Sequence, residues 1–259
     1  MVILALDTTT ASGSVALVRN GELLASHTGD PTRTHGERLP GDLLALLETQ
    51  SLRLTDVDVY AVCSGPGSFT GLRVGLATIQ ALALVNQRSV VPVPTLETLA
   101  WAAVWTTNDD RKPDLVGAWM NAHRGEVFAA LYRAPSGHLT GPDGDWWQPL
   151  EAVAAPSVGE PAIVAQQWRE RRSDAASRIT VVGDAVATSG DVIERALDTS
   201  TRLVTQVPAL AAVAARVAAA MSRGHGSVSP HAVRPVYVRR PDAELARERQ
   251  HRTGRLTDV

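Results

Sequence analysis

One pattern, strand then polar turn then hairpin, opens this chain and opens it again halfway along. "VILALDT" (2–8) reads as a buried strand that runs into the hydroxyl-rich turn Thr8–Thr10. "SGSVALVRNGELLASHT" then alternates apolar and polar positions about Asn20-Gly21, a strong hairpin turn pair. A polar, charged, proline-bearing stretch (106–114) follows much later, and after it the opening recurs. "LVGAWMNA" (115–122) repeats the strand with Asn121 at its end, and "GEVFAALYR" (125–133) repeats the hairpin. An internal duplication of this kind restricts the fold to two related α/β units, each a mixed sheet with helical cover.

The elements between these openings fit that class. Leu39, Leu43, Leu46 and Leu47 form one apolar stripe on a helix over 36–50. Strands over 57–65 and 89–94 alternate with helices over 70–86 and 95–107. This places one unit at 1–107 and the second at 115–241. In the second unit, residues 142–161 read as loop, with Trp146 and Trp147 among them, and 178–185 as a strand ending in Gly-Asp. An alanine-rich helix over 209–224 is closed by Gly224, and 234–241 is a short terminal strand or arm. The tail 242–259 has four arginines, four acidic residues and little apolar content, so it is expected to be frayed.

Composition excludes several classes. With 44% hydrophobic and 20% charged residues the chain can build a core. A formal net charge of −2 gives no general attraction for nucleic acid or an anionic membrane. Cys63 is the only cysteine, which rules out an internal disulfide and suits a reducing cytoplasm. No basic leader precedes the first strand, and no apolar run reaches the roughly 20 residues of a spanning helix. The expected setting is cytoplasmic, with no membrane partner.

The stretch "GPGSFTGLRVG" (65–75) has the glycines of a phosphate-binding loop without its chemistry. A Walker loop needs Lys and Ser/Thr after its last glycine, but Leu72 and Arg73 stand there. The spacing of Gly65, Gly67 and Gly71 is one residue too long for a dinucleotide fingerprint, and Ser68 is misplaced for a nucleophile elbow. A tight turn that lets backbones pack closely is the favoured reading. The helix that follows is apolar nearly all round, with small residues at Gly75, Ala77, Ala81 and Ala83. Burial within its own unit and burial at a subunit interface are equally consistent with that pattern. Asp7 either closes its turn by side-chain hydrogen bonds or orients a phosphate or metal-bound water; turn closure is favoured. Cys63 reads as core, His35 as a polar residue at a helix start, and Trp101 and Trp105 as core at helical spacing. No histidine pair has metal-ligand spacing, so no metal site is expected.

"ILALDTTTASGSVAL", "HGERL", "GPGSFTGLRVG", "PVPTLETLA", "NAHRGEVFAALY" and "PVYVR" together, in that order, resemble the bacterial TsaB (YeaZ) proteins, closely over the first 133 residues and loosely beyond. One departure is Asn121, where that family often has Asp. The resemblance implies an actin-like fold and a part in making threonylcarbamoyladenosine in tRNA. It implies a non-catalytic scaffold whose partners are the catalytic paralogue TsaD, with its paired-histidine metal site, and the ATPase TsaE. A homodimer is the expected state when the chain is alone, and tRNA is reached indirectly. No cofactor is expected in the isolated chain, with ATP or ADP held only in the assembled complex. The expected docking residues are Leu39, Leu43 and Leu46 on the first helix and Arg73, Leu76, Ala77, Gln80, Ala81 and Leu84 on the second. Asp7, Thr8, Thr9, Gly65 and Gly67 would form a vestigial phosphate site. The rival reading is an active ATP-dependent kinase or hydrolase of the same superfamily.

Overall fold

The computed structural model describes residues 1–106, 112–135, 148–172, 174, 176–197, 201–224 and 226–239. Its first half follows the order read from the sequence: β1 (Val2–Asp7), β2 (Ser14–Arg19), β3 (Glu22–Thr28), α1 (His35–Thr49), β4 (Val59–Cys63), α2 (Phe69–Val85), β5 (Ser89–Val93) and α3 (Thr95–Thr106). The second half continues with β6 (Leu115–Asn121), β7 (Val127–Arg133), β8 (Ala152–Gly159), α4 (Pro161–Arg171), β9 (Ile179–Val182), α5 (Val186–Leu197), β10 (Arg202–Val204) and α6 (Leu210–Met221).

The strands form two five-stranded sheets, ordered β3-β2-β1-β4-β5 and β8-β7-β6-β9-β10. In each, the central strand runs antiparallel to the hairpin that follows it and parallel to the next crossover strand. The duplication read from the two openings therefore extends to topology, and the fold is two related α/β units, each a five-stranded mixed sheet with helical cover. Asp7 and Asn121 occupy the same place in the two copies, the last residue of the central strand.

Every residue of β1 and β4 is buried, as expected of strands covered on both faces. Helices α1 and α2 cover the outer face of the first sheet, with Leu39, Leu43, Leu46, Leu47, Leu72, Leu76 and Ile79 packed on Leu4, Leu6, Leu17, Tyr60 and Val62. Helices α4 and α5 cover the outer face of the second, where Trp119 and Trp168 meet edge to face at 5.0 Å.

The inner faces share one core, and here the halves exchange helices. Helix α3, from the first half, packs on β6 and β7, whereas α6, from the second half, packs on β1, β2 and β4. The stretch between 107 and 115 thus divides the strands into two sets but not the helices. Both exchanged helices are apolar nearly all round and buried nearly all round. Their alanines let the two helices sit between the sheets and against each other.

One sequence expectation changes. Residues 152–159 are a strand, not loop; Pro156 is tolerated because β8 is an edge strand that needs no donor on its outer side. Trp146, Trp147 and the tail 242–259 lie outside the described residues. Of the strand or arm expected at 234–241, residues 234–239 take the arm form, laid across α2 and the glycine turn. Among the described residues no helix is long and apolar enough to cross a membrane.

Ala214, on α6, is fully buried between the sheets. Ala214→Leu is expected to cost about 1–3 kcal/mol through overpacking, read as a lower urea midpoint with unchanged slope.

Candidate functional site

The glycines of the 65–75 stretch are where they are because α2 begins on top of the turn that ends β1. A Cβ at Gly67 would overlap Thr9, one at Gly71 the Thr8 carbonyl oxygen, and one at Gly75 the Thr8 hydroxyl. Hydrogen bonds fasten the same contact. Thr8 Oγ1 donates to the Gly71 carbonyl at 2.7 Å, and the Ser68 N–H donates to the Thr9 carbonyl at 2.9 Å. Ser68 caps α2, its hydroxyl accepting from the Gly71 N–H at 3.2 Å. Gly65 donates its N–H to Thr95 Oγ1 at 3.0 Å. Three N–H groups of the loop are therefore spent inside the chain.

Asp7 is buried and closes its own turn. One carboxylate oxygen accepts from the Thr9 N–H at 2.9 Å and the Thr9 hydroxyl at 2.5 Å; the other accepts from the Thr10 hydroxyl at 2.9 Å. Beyond this turn lies a cavity of about 260 Å³ between the halves, lined by Asp7, Thr10, Gly13, Met120, Asp184 and Leu210 among others. On its far side Asp184 accepts from the Asn121 N–H at 2.9 Å, and the Asn121 side chain accepts from the His123 N–H at 2.7 Å. Among the described residues no cluster of three or more metal-binding side chains exists. Cys63 is fully buried, which pushes its thiol up, with the nearby Asp7 carboxylate a smaller contribution.

Sequence reading missed the polar network that fixes the β1–β2 turn from the α1 side. Arg38 is buried. Its guanidinium donates to the Ser12 carbonyl, to Asp42 at 2.6 Å and to His35 Nδ1 at 2.8 Å. His35 Nε2 stands 3.1 Å from the Thr10 carbonyl. Arginine can only donate and a carbonyl can only accept, so the imidazole is the neutral Nε2–H tautomer. Burial, and then the Arg38 charge, hold its pKa below the ordinary histidine value. The clue in sequence is His35, Arg38 and Asp42 at i, i+3 and i+7 on one helix face.

The outer face of α1 and α2 corrects the sequence reading in part. Leu39, Leu43, Leu46 and Leu76 are 2–5% exposed and hold the helices to their own sheet, so they are not surface residues. The stripe that sequence periodicity finds most easily is the one the sheet needs. Gln80 is half-buried, its side-chain amide donating to the Pro230 carbonyl of the arm at 2.8 Å. Arg73, Ala77, Ala81 and Leu84 are exposed, in a row along the helix. Nine large apolar side chains are exposed among the described residues: Met1, Leu23, Leu44, Phe69, Leu84, Val85, Ile163, Val236 and Tyr237. Six of them, Leu44, Phe69, Leu84, Val85, Val236 and Tyr237, belong to α1, α2 and the arm.

The family model described as "TsaD: tRNA N6-adenosine threonylcarbamoyltransferase" matches residues 26–247. The chain is 36% identical over 159 residues to the tRNA threonylcarbamoyladenosine biosynthesis protein TsaB of Escherichia coli, covering 61% of this chain and 64% of that one. Against TsaB of Haemophilus influenzae it is 40% identical over 49% of this chain and 52% of that one. The structure of YeaZ from Pseudomonas aeruginosa superposes with a TM-score of 0.71 at 26% identity, covering 91% of this chain and 99% of that one. The chain belongs to this family, as a TsaB (YeaZ) protein. It spans about half to two thirds of the length of the curated TsaB relatives it matches. The family-like segments 3–17, 35–39 and 65–75 are the ones that meet at the β1 turn: Thr8 and Thr9, His35 and Arg38, and Gly67, Gly71 and Gly75.

Two measurements test this geometry. Gly75→Ala is expected to lower stability by about 1–3 kcal/mol, although the same change at an open helical site gains about 1 kcal/mol. Adding Thr8→Ala should recover part of the loss, and a stabilised single variant in urea unfolding would contradict the close contact. For His35, a folded-state pKa below the unfolded value of 6.5 means that the unfolded chain binds the proton first as pH falls. The stability that neutral His35 contributes is therefore present above pH 6.5 and lost below it. The melting temperature of the wild type should drop more steeply than that of His35→Asn between about pH 7 and about pH 5.

Proposed function

We propose that this chain is the docking subunit of a tRNA N6-adenosine threonylcarbamoyltransferase assembly, working in the cytoplasm and carrying out no bond chemistry of its own. The observation that carries this reading is the concentration of exposed apolar side chains on α1, α2 and the arm. An apolar patch gathered on one face, beside a row of small residues that lets another backbone approach, is suited to protein association. Family membership supplies the identity of the assembly. The catalytic partner in this reading is TsaD, docked on the outer face of α1 and α2. TsaE joins the pair, and the chain reaches tRNA only through the assembly. Alone, it covers the same face with a second copy of itself. ATP or ADP is bound only in the assembled complex.

The state of the glycine turn supports the non-catalytic part. Its N–H groups at Gly65, Ser68 and Gly71 and both oxygens of Asp7 already have partners within the chain. Asp7, Thr8, Thr9, Gly65 and Gly67, as a phosphate site, would have to give up bonds that hold α2 in place. The rival reading, an ATP-dependent kinase or hydrolase, uses the cavity between Asp7 and Asp184 instead. Calorimetry of the isolated chain with ATP and Mg²⁺ decides between them: tight binding that Asp7→Ala removes would favour the kinase.

For the docking reading, Ala77→Arg and Ala81→Arg are expected to abolish co-purification with TsaD while leaving the melting temperature unchanged, because both positions are exposed. Undiminished complex formation by both variants would refute it.

A further inference from the structure

The exposed face of α2 is continued by the C-terminal arm, and the two are joined by ring, cation–ring and hydrogen-bond contacts. The Phe69 and Tyr237 rings, 47% and 42% exposed, lie 5.5 Å apart at 36°. The Arg73 guanidinium sits 3.9 Å from the centre of the Phe69 ring, and its Nε donates to the Tyr237 hydroxyl at 3.3 Å. Arg73 is the only charged residue of α2. Among the described residues no carboxylate stands within ion-pair distance of it.

Tyr237 owes its place to anchors on both sides. Before it, Val90 and Val228 exchange backbone hydrogen bonds at 3.0 and 2.8 Å, and the Val236 N–H donates to the Ser64 carbonyl at 2.8 Å. After it, Arg239 donates to the Ala122 carbonyl at 2.8 Å and pairs with Glu126 on the β6–β7 turn. An arginine stacked on one ring and bonded to another has lost much of its side-chain freedom before any partner arrives, so less is lost when it is buried.

We propose that Tyr237 is a specificity-determining residue of the docking face, forming with Phe69 and Arg73 the anchor of the interface. The partner surface it selects presents a carboxylate, to meet the unneutralised and pre-aimed Arg73, bordered by apolar side chains that cover the two rings. Arginine and tyrosine in a rigid cluster are the residue types that dominate interface energetics. The inference rests on the docking reading of α2 given above and adds the arm to it.

The test uses the full-length chain and purified TsaD in titration calorimetry. Tyr237→Ala should weaken binding by about thirtyfold or more, the scale of an interface hot spot. Tyr237→Phe, which keeps the ring and the fold and loses only the bond to Arg73, should weaken it by a smaller factor. Arg73→Glu should weaken binding well beyond Arg73→Gln, because a second carboxylate repels the first. Equal losses for Glu and Gln would remove the carboxylate from the proposal. Tyr237→Ala within about twofold of wild type, below the hot-spot scale, while Ala81→Arg still abolishes binding, would overturn the role of the arm and leave the docking reading intact. If Ala77→Arg and Ala81→Arg both bind normally as well, the docking reading itself fails.

Discussion

The rest of this structure depends on the contact between the start of α2 and the turn that ends β1. A helix can approach a strand end this closely only where its first turns have no side chains on the facing side, which is what Gly67, Gly71 and Gly75 provide. Once seated, the helix has its roll fixed. Leu72, Leu76 and Ile79 go into the sheet, each fully buried apolar side chain contributing about 1.5–3 kcal/mol. The opposite face, with Arg73, Ala77, Ala81 and Leu84, is then turned outward by geometry. A device resembling a nucleotide loop in sequence serves here to set a surface.

That contact also links the two faces of the first sheet's rim. The Thr8–Thr10 turn touches α2 through Thr8 and Thr9 and touches α1 through the His35–Thr10 bond, while Arg38 holds the neighbouring Ser12 carbonyl. The same turn borders the cavity between the halves. A shift of α1 or α2 on binding would have to be absorbed by this turn, since its donors and acceptors are shared among all three elements. The exchange of α3 and α6 limits the alternatives: with one core spanning both sheets, the halves are not free to separate without exposing it.

Much of this was legible in the sequence, and the gaps have physical causes. The first half alternates strongly and its turns use Asn20-Gly21 and hydroxyl-rich segments, so every strand and helix was readable there. Strand β8, "AVAAPSVG", has no regular alternation and only two β-branched residues, Val153 and Val158, and its identity comes from pairing with β7. The periodicity of α1 revealed Leu39, Leu43 and Leu46 but could not say that the sheet beneath claimed all three; the outward Leu44 breaks the stripe and was overlooked. Nothing in the composition of α3 or α6 tells which sheet each covers, because a helix apolar all round suits either. Arg38 drew no reading from the sequence because charged residues are usually exposed, and only its three acceptors make its burial tolerable. Tyr237 lies in a segment of irregular backbone, whose course no local pattern encodes.

The two carboxylates that border the cavity and the outer face also differ in what the fold has already asked of them. Asp7 accepts three hydrogen bonds and Asp184 accepts one from the β6 strand end, so each is part of the turn it borders. A ligand recruiting Asp7 must replace bonds in a buried site, where an unreplaced hydrogen bond costs about 1–3 kcal/mol. Leu84 and Val85 face the opposite situation: 43% and 83% exposed, they keep apolar surface in water and gain from apolar cover. Duplication gave the chain two equivalent central-strand ends, Asp7 and Asn121, and each side chain accepts hydrogen bonds from residues two or three positions on. The free energy still to be gained lies on the outside of α2, which is where association with another protein would realise it.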